Sequence, residues 1–311
     1  MEKPVHPLKD PTLKAPDAPR ERLAPWLKKR LPKQDTVQQV RGLIEGLDLN
    51  TVCASARCPN LNECWSRKAA TFMIMGDICT RTCRFCTVPK GKPLHLDAAE
   101  PEHVAQAAEQ LELRHVVVTS VDRDDLPDQG AGHFADTIRA IRARLPEAVI
   151  EVLTPDFRGE SAMVDIVADA EPDIFNHNLE TVPRLYKRVR PGAGYERSLA
   201  LLARIKERHP QQFTKSGLML GLGEGEEELT QVLQDLRTAG VDILTLGQYL
   251  RPTLAQLPVE RFIPPEEFDA WEERGRAMGF RAVAAGPFVR SSYNADEVYK
   301  ALGTRSGAGS R

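Results

Sequence analysis

No stretch of this 311-residue chain approaches the roughly 18 consecutive apolar residues that a membrane-spanning helix needs, and no apolar run follows the charged start. Neither a bilayer span nor a secretory signal is therefore expected, and the cytoplasm is the predicted compartment. An excess of basic charge is missing too: 42 Lys and Arg stand against 44 Asp and Glu, so nothing in the net charge could neutralise a phosphate backbone, and no nucleic-acid partner is expected. Cysteine is absent everywhere except between residues 53 and 86, where all six lie. That confinement excludes a disulfide scaffold, which belongs to small secreted domains, and leaves metal or cluster ligation as the leading reading. No internal repeat is visible at the level of sequence.

What is present suits a globular protein with a full core: 41% of residues are hydrophobic and 28% charged. The first 33 residues hold seven prolines and nine Lys or Arg against four acidic residues, so they read as an extended basic arm. A transit peptide is disfavoured because such peptides are acid-poor. Lys28, Lys29 and Arg30 are candidates for meeting an acidic partner, although a solvated tail also explains them. A helix is expected over about 34–50, with Val37, Val40, Leu43 and Ile44 at helical spacing.

From residue 70 onward, β-branched runs at 71–75, 115–119, 149–153, 173–176, 216–220, 242–246 and 281–284 alternate with helical patterns near 101–113, 133–145, 160–170, 195–209, 225–239 and 264–279. Strand then helix, repeated six times, predicts parallel strands with helical crossovers, either a barrel or partial barrel or an open doubly wound sheet. Functional groups should then cluster at the C-terminal ends of the strands. Residues 303–311 read as a polar tail.

The second cysteine group, Cys79-Thr-Arg-Thr-Cys83-Arg-Phe-Cys86, follows the first predicted strand. Three thiolates in eight residues can hold three corners of an iron–sulfur cube and leave one iron open. Structural zinc is the alternative, but it favours four ligands in paired Cys-x2-Cys units, and the nearest histidine, His95, lies nine residues on. The spacing, with Phe85 before the last cysteine, resembles the radical S-adenosylmethionine (radical SAM) superfamily. That resemblance implies an α/β partial parallel (β/α)6 barrel and a [4Fe-4S] cluster whose open iron chelates SAM. Reduction of the cluster would cleave SAM to a 5′-deoxyadenosyl radical.

The first group, Cys53, Cys58 and Cys64, again offers three thiolates and no fourth, which suggests a second cluster. Its Cys-x4-Cys-Pro-Asn-x3-Cys-Trp pattern resembles the lipoyl synthase family within that superfamily. So do the stretches Gly76 to Arg81, Thr119 to Leu126, Asn176 to Val182, Gly221 to Glu224 and Arg290-Ser291-Ser292-Tyr293. The resemblance implies two [4Fe-4S] clusters, with Ser292 (Ser291 the adjacent alternative) completing the auxiliary one as a weak, dissociable ligand beside thiolates. By the same resemblance, catalysis rests on Cys53, Cys58, Cys64 and Ser292: the auxiliary cluster donates two sulfurs to carbons 6 and 8 of an octanoyl chain on a carrier lysine. The implied carriers are the lipoyl domains of 2-oxoacid dehydrogenase acyltransferase subunits and the glycine cleavage H protein. Flavodoxin or ferredoxin would donate electrons, and the chain would be a monomer.

Expected SAM contacts are Phe85, Thr119, Ser120, Asp122, Asn178, Glu180, Gly221 and Gly223, each of which also has a bland reading as a turn or solvated polar residue. The run Arg123, Asp124, Asp125 could lock its loop by internal pairing. The expected division is an arm and auxiliary-cluster segment over 1–66, the barrel over 67–285 and a C-terminal segment over 286–311. Rivals are another sulfur-inserting radical enzyme, such as a methylthiotransferase or biotin synthase, and a non-catalytic iron–sulfur or zinc protein. The latter leaves the seven-strand architecture without a purpose.

Overall fold

A computed structural model describes residues 24–28, 35–300 and 302. Lys28 is exposed, whereas Lys29, Arg30 and the predicted tail at 303–311 lie outside the described residues. The chain runs through α1 (Asp35–Gly46), α2 (Val52–Ser55) and α3 (Leu61–Ser66) before entering the sheet. Seven strands follow: β1 (Thr71–Ile74), β2 (His115–Ser120), β3 (Val149–Leu153), β4 (Ile174–Asn176), β5 (Phe213–Leu220), β6 (Ile243–Gln248) and β7 (Ala282–Gly286). The crossovers carry α4 (Glu100–Gln110), α5 (Ala131–Arg144), α6 (Ser161–Ala168), α7 (Tyr186–Val189) with α8 (Tyr195–Arg208), α9 (Glu226–Thr238) and α10 (Pro265–Ala277), and α11 (Ala295–Lys300) ends the described chain.

All neighbouring strands are parallel and follow sequence order, and β7 does not pair with β1. Six strand–helix units and a closing seventh strand thus make a partial barrel. Parallel strands covered on both faces read as nearly continuous apolar runs, as Val116-Val117-Val118 does. The outward positions, Phe72, Val118, Ile150, Phe175 and Leu246 among them, are buried beneath the helices. Each large side chain there contributes about 1.5–3 kcal/mol. Helix starts follow local chemistry: α10 opens on Pro265 with Glu266 and Glu267 in its first turn, where acidic groups meet the helix dipole.

The inward positions can be traced through the register: Thr71 to Val117 to Glu151 to Ile174 to Phe213, and Lys215 to Ile243 to Ala282. Ile174, Phe213, Ile243 and Ala282, at or near the N-terminal strand ends, form a separate apolar cluster with Val298, Tyr299 and Leu302. The C-terminal helix thereby closes the floor of the barrel. Above that floor Lys215 is paired with Glu151 at 2.8 Å, both fully buried, and Asn176 and His115 also bond the carboxylate.

Candidate active site

The loop after β1 carries Cys79, Cys83 and Cys86 and is tied down on several sides. Cys79 N–H donates to the Pro89 carbonyl (2.8 Å), Thr80 bonds the Asp122 carbonyl through both its amide and its hydroxyl, and Arg84 N–H donates to Val189 O. Arg81 is the anchor. Its guanidinium takes both oxygens of Asp124 at 2.8 Å, lies 2.6 Å from the fully buried Asp156 and is 3.4 Å from Asp122. Burial works against its charge, but these three carboxylates outweigh that and hold it firmly protonated. Arg123 pairs with Asp125 through two bonds at 2.9 Å, so the expected internal pairing of that run forms, while Asp124 turns to Arg81 instead.

Backbone N–H groups of Arg81 and Asp122 point at the Cys79 sulfur at 3.4 and 3.3 Å, a setting that favours a thiolate. Without iron the thiols stay neutral: burial first, then the Asp122 charge, pushes Cys79 to about 12, and burial likewise takes Cys83 to about 12 and raises Cys86. Asp122 is itself raised by burial, only partly offset by Arg81. Glu180, in a left-handed conformation (φ 68°), is raised by burial, and Arg190 donates to the carbonyls of Asn178 and Leu179 beside it. Phe85 packs part-buried against the core. Thr119 donates to Leu153 O, whereas the Ser120 hydroxyl and Asn178 Oδ1 are buried without a partner. Unpaired buried polar atoms at the C-terminal strand ends are groups that a ligand can satisfy.

Gly221 and Gly223 both take positive φ (100° and 103°). A Cβ on Gly221 would stand 2.4 Å from the Arg261 carbonyl, and the N–H groups of Gly221 and Leu222 are already taken by Glu224. Close packing therefore explains this turn within the fold itself.

The first triad sits at the open edge between β1 and β7. Cys53, Cys58 and Cys64 line a cavity of roughly 410 Å³ together with Ser292, Arg290 and Tyr293. Burial and mutual charge push Cys53 to about 11 and Cys64 to about 12. Ser291 faces elsewhere: its hydroxyl accepts a 2.6 Å bond from Asn178. Only Ser292 of the two serines lines the cavity, which favours it as a fourth ligand. Asn60 donates to Phe288 O at 2.7 Å and Tyr293 donates to Glu63 at 2.7 Å, clasping this C-terminal segment onto the cysteine helices. The Thr87 hydroxyl donates to Ser55 O, joining the two cysteine segments.

The donor sets fit iron–sulfur clusters. All six thiols are free and lie in two groups of three, which suits thiolate ligation of two clusters. Among the described residues, no group of three or more His, Cys, Asp and Glu side chains is gathered as a single metal ion requires. A cube has no such requirement, since it takes each thiolate at a different corner. Sequence reasoning missed Arg81, Asp156, Arg190 and the Glu151–Lys215 pair, whose roles depend on partners distant in the chain.

Residues 73–236 match the family model described as the radical SAM superfamily. A curated lipoyl synthase of Nitrosococcus oceani is 57% identical over 282 residues, covering 90% of this chain and 87% of that one. That of Caldanaerobacter subterraneus is 55% identical over 271 residues, covering 87% and 95%. The chain belongs to the lipoyl synthase family. Among solved structures, the fold of this lipoyl synthase family member is similar to the FeFe-hydrogenase maturase HydG from Carboxydothermus hydrogenoformans. The TM-score there is 0.56 at 14% identity, covering 87% of this chain and 68% of that one. It is also similar to Streptococcus suis SuiB bound to its precursor peptide, with a TM-score of 0.52 at 12% identity, covering 73% and 52%.

Proposed function

We propose that this chain converts a protein-bound octanoyl-lysine to lipoyl-lysine by radical insertion of sulfur at carbons 6 and 8. One observation carries the reading: two separate sets of three free thiols, one on the loop that follows β1 and one in a cavity shared with Ser292, in a chain of the lipoyl synthase family. Cys79, Cys83 and Cys86 would hold one [4Fe-4S] cluster with SAM on its open iron, and Cys53, Cys58, Cys64 and Ser292 the other. When bound, the first of these with SAM supplies hydrogen abstraction from an unactivated carbon, and the other supplies sulfur.

The chain's own part is to hold and to shield. Arg81 fixes the loop that bears the second triad. Asp122, Asn178 and Glu180 are the polar contacts for SAM, with Thr119, Ser120 and Phe85 at the same end of the sheet. The apolar floor under α11 keeps water from the barrel. The substrate is an octanoyl group on a lipoyl carrier domain, and a flavodoxin or ferredoxin would deliver electrons to a cytoplasmic monomer. Among the described residues no helix is long and apolar enough to cross a membrane. The chain divides into the cysteine segment through residue 66, the barrel over 67–285 and the segment from 286 onward.

Mass spectrometry of an octanoyl-lysine peptide, after incubation with anaerobically reconstituted protein, SAM and dithionite, tests the reading. A gain of two sulfurs in the peptide is expected. Formation of 5′-deoxyadenosine with no sulfur in the peptide would overturn it.

A further inference from the structure

The segment that follows β7 is seated against the barrel's inner wall, and the wall is shaped to receive it. A Cβ on Gly247 would stand 2.1 Å from the Val289 carbonyl oxygen. One on Gly217 would stand 2.5 Å from Thr245 Oγ1, 3.0 Å from Asn178 Oδ1 and 3.4 Å from Ser291 Oγ. Gly247 thus admits the backbone of the strap where a side chain would expel it, and Gly217 leaves space for the side chains of Thr245, Asn178 and Ser291. The strap is bonded at that seat by one side chain: Asn178 Nδ2 donates to Ser291 Oγ at 2.6 Å, and the same amide donates to Glu180 Oε1 at 3.0 Å.

We infer that Asn178 and Ser291 form a tether that couples the SAM end of the barrel to the serine of the sulfur-bearing end. Ser291 is thereby a positioning residue, distinct in role from its neighbour Ser292. The inference rests on the reading of Ser292 as a ligand. The geometry runs in one line. Glu180 stands in the turn that follows β4, Asn178 bonds Glu180 on one side and Ser291 on the other, and Ser292 faces the cavity of Cys53, Cys58 and Cys64. Asn178 cannot shift toward a ligand at the strand ends without loosening the strap, because both bonds leave from one nitrogen. Occupation of the SAM site is therefore felt at the serine that must let go of iron.

Hydrogen–deuterium exchange of the strap (residues 287–293) on the reconstituted protein tests this, alongside the ratio of 5′-deoxyadenosine formed to sulfur inserted. Ser291→Ala removes one oxygen and should leave the fold intact while speeding strap exchange about tenfold, the worth of one buried hydrogen bond. It should also raise the deoxyadenosine-to-sulfur ratio severalfold, since cleavage proceeds while the strap is misplaced. Asn178→Ala should give the same exchange rate, and the double variant no more than either single, because one bond is lost in all three. Ser291→Thr, which keeps the hydroxyl, should restore both readouts. Unchanged strap exchange in Ser291→Ala, or additive effects in the double variant, would overturn the tether. Ser292→Ala separates the two readings. If it releases no more auxiliary iron to a chelator than the parent, the ligand assignment fails, while the exchange contrast at Ser291 still decides the tether.

Discussion

Arg81 offers the sharpest quantitative test of how the cluster loop is held. Replacing it with Met keeps the stem's bulk but removes the cation from three carboxylates. Asp156 is fully buried and would retain Arg197, at 2.7 Å, and the Arg158 N–H, at 3.1 Å, while Asp122 would lose the cation that does most to offset its burial. Removing one partner of a buried ion pair costs about 3–5 kcal/mol. The Asp124 side chain is 26% exposed, so solvent screens part of its share, and the lower end, about 3 kcal/mol, is expected. At about 2–4 °C per kcal/mol for domains of 150–250 residues, thermal unfolding followed by circular dichroism should move down by about 6–12 °C. The pH dependence has a definite sign. Burial alone would raise the Asp156 carboxyl, but Arg81 and its other neighbours hold it at about 2, below its ordinary 3.8. That stability is present above pH 3.8 and is lost as pH falls toward 2; without Arg81 the Asp156 pKa rises back toward its ordinary value, so this acid-sensitive contribution shrinks. Arg81→Lys should recover only part of the difference, because an ammonium cannot span three carboxylates as a planar fork does. A melting point within about 2 °C of the parent, with full iron loading, would refute the reasoning and mean that the cluster alone organises its loop.

Ser292→Cys should load the auxiliary cluster well yet insert sulfur slowly or not at all, because a thiolate is a better-matched ligand than a hydroxyl; Ser292→Ala should load poorly, and iron counts with product mass spectrometry distinguish the two. Changing Cys79, Cys83 and Cys86 to Ala should abolish 5′-deoxyadenosine formation and leave about half the iron, whereas changing Cys53, Cys58 and Cys64 should spare SAM cleavage and abolish sulfur insertion. Loss of SAM cleavage in both variants would remove the division of labour. Burial, with help from the Arg190 charge, holds His177 at about 4, below its ordinary 6.5, as a neutral ring bonded to Thr154 O and Ser198 Oγ. Its contribution is therefore complete above pH 6.5 and lost as pH falls toward 4, and urea titrations of His177→Gln should show a flatter stability profile across that window.

Periodicity located every strand because parallel strands buried on both faces announce themselves as β-branched runs. It placed the start of β5 at 216 rather than Phe213, since Lys215 looks like a loop residue until Glu151 is seen across the barrel. The helices α2, α3 and α11 are too short for a helical period to register, so the plug at the barrel floor was invisible beforehand. Cysteine spacing located both triads without help, because the ligands of each lie close in sequence. The anchors did not announce themselves. Arg81 sits between ligands like any charged loop residue, and Arg190 directly follows the short helix α7; their importance comes from carboxylates and carbonyls in the loops that follow other strands.

The clasp between Asn60 and Phe288 joins residues 228 positions apart. A ribosome delivers them in that order, so the nascent chain exposes Cys53, Cys58 and Cys64, and then the whole strand–helix succession, before Ser292 exists. On the reading of Ser292 as a ligand, any cluster installed earlier would meet solvent at its fourth iron until that serine is made. A chain cut short after β7 would keep the loop of Cys79, Cys83 and Cys86 and every carboxylate that holds Arg81, yet lack both the serine and the floor helix. Such a fragment would keep all six thiols but lack the hydroxyl that shares the cavity of Cys53, Cys58 and Cys64.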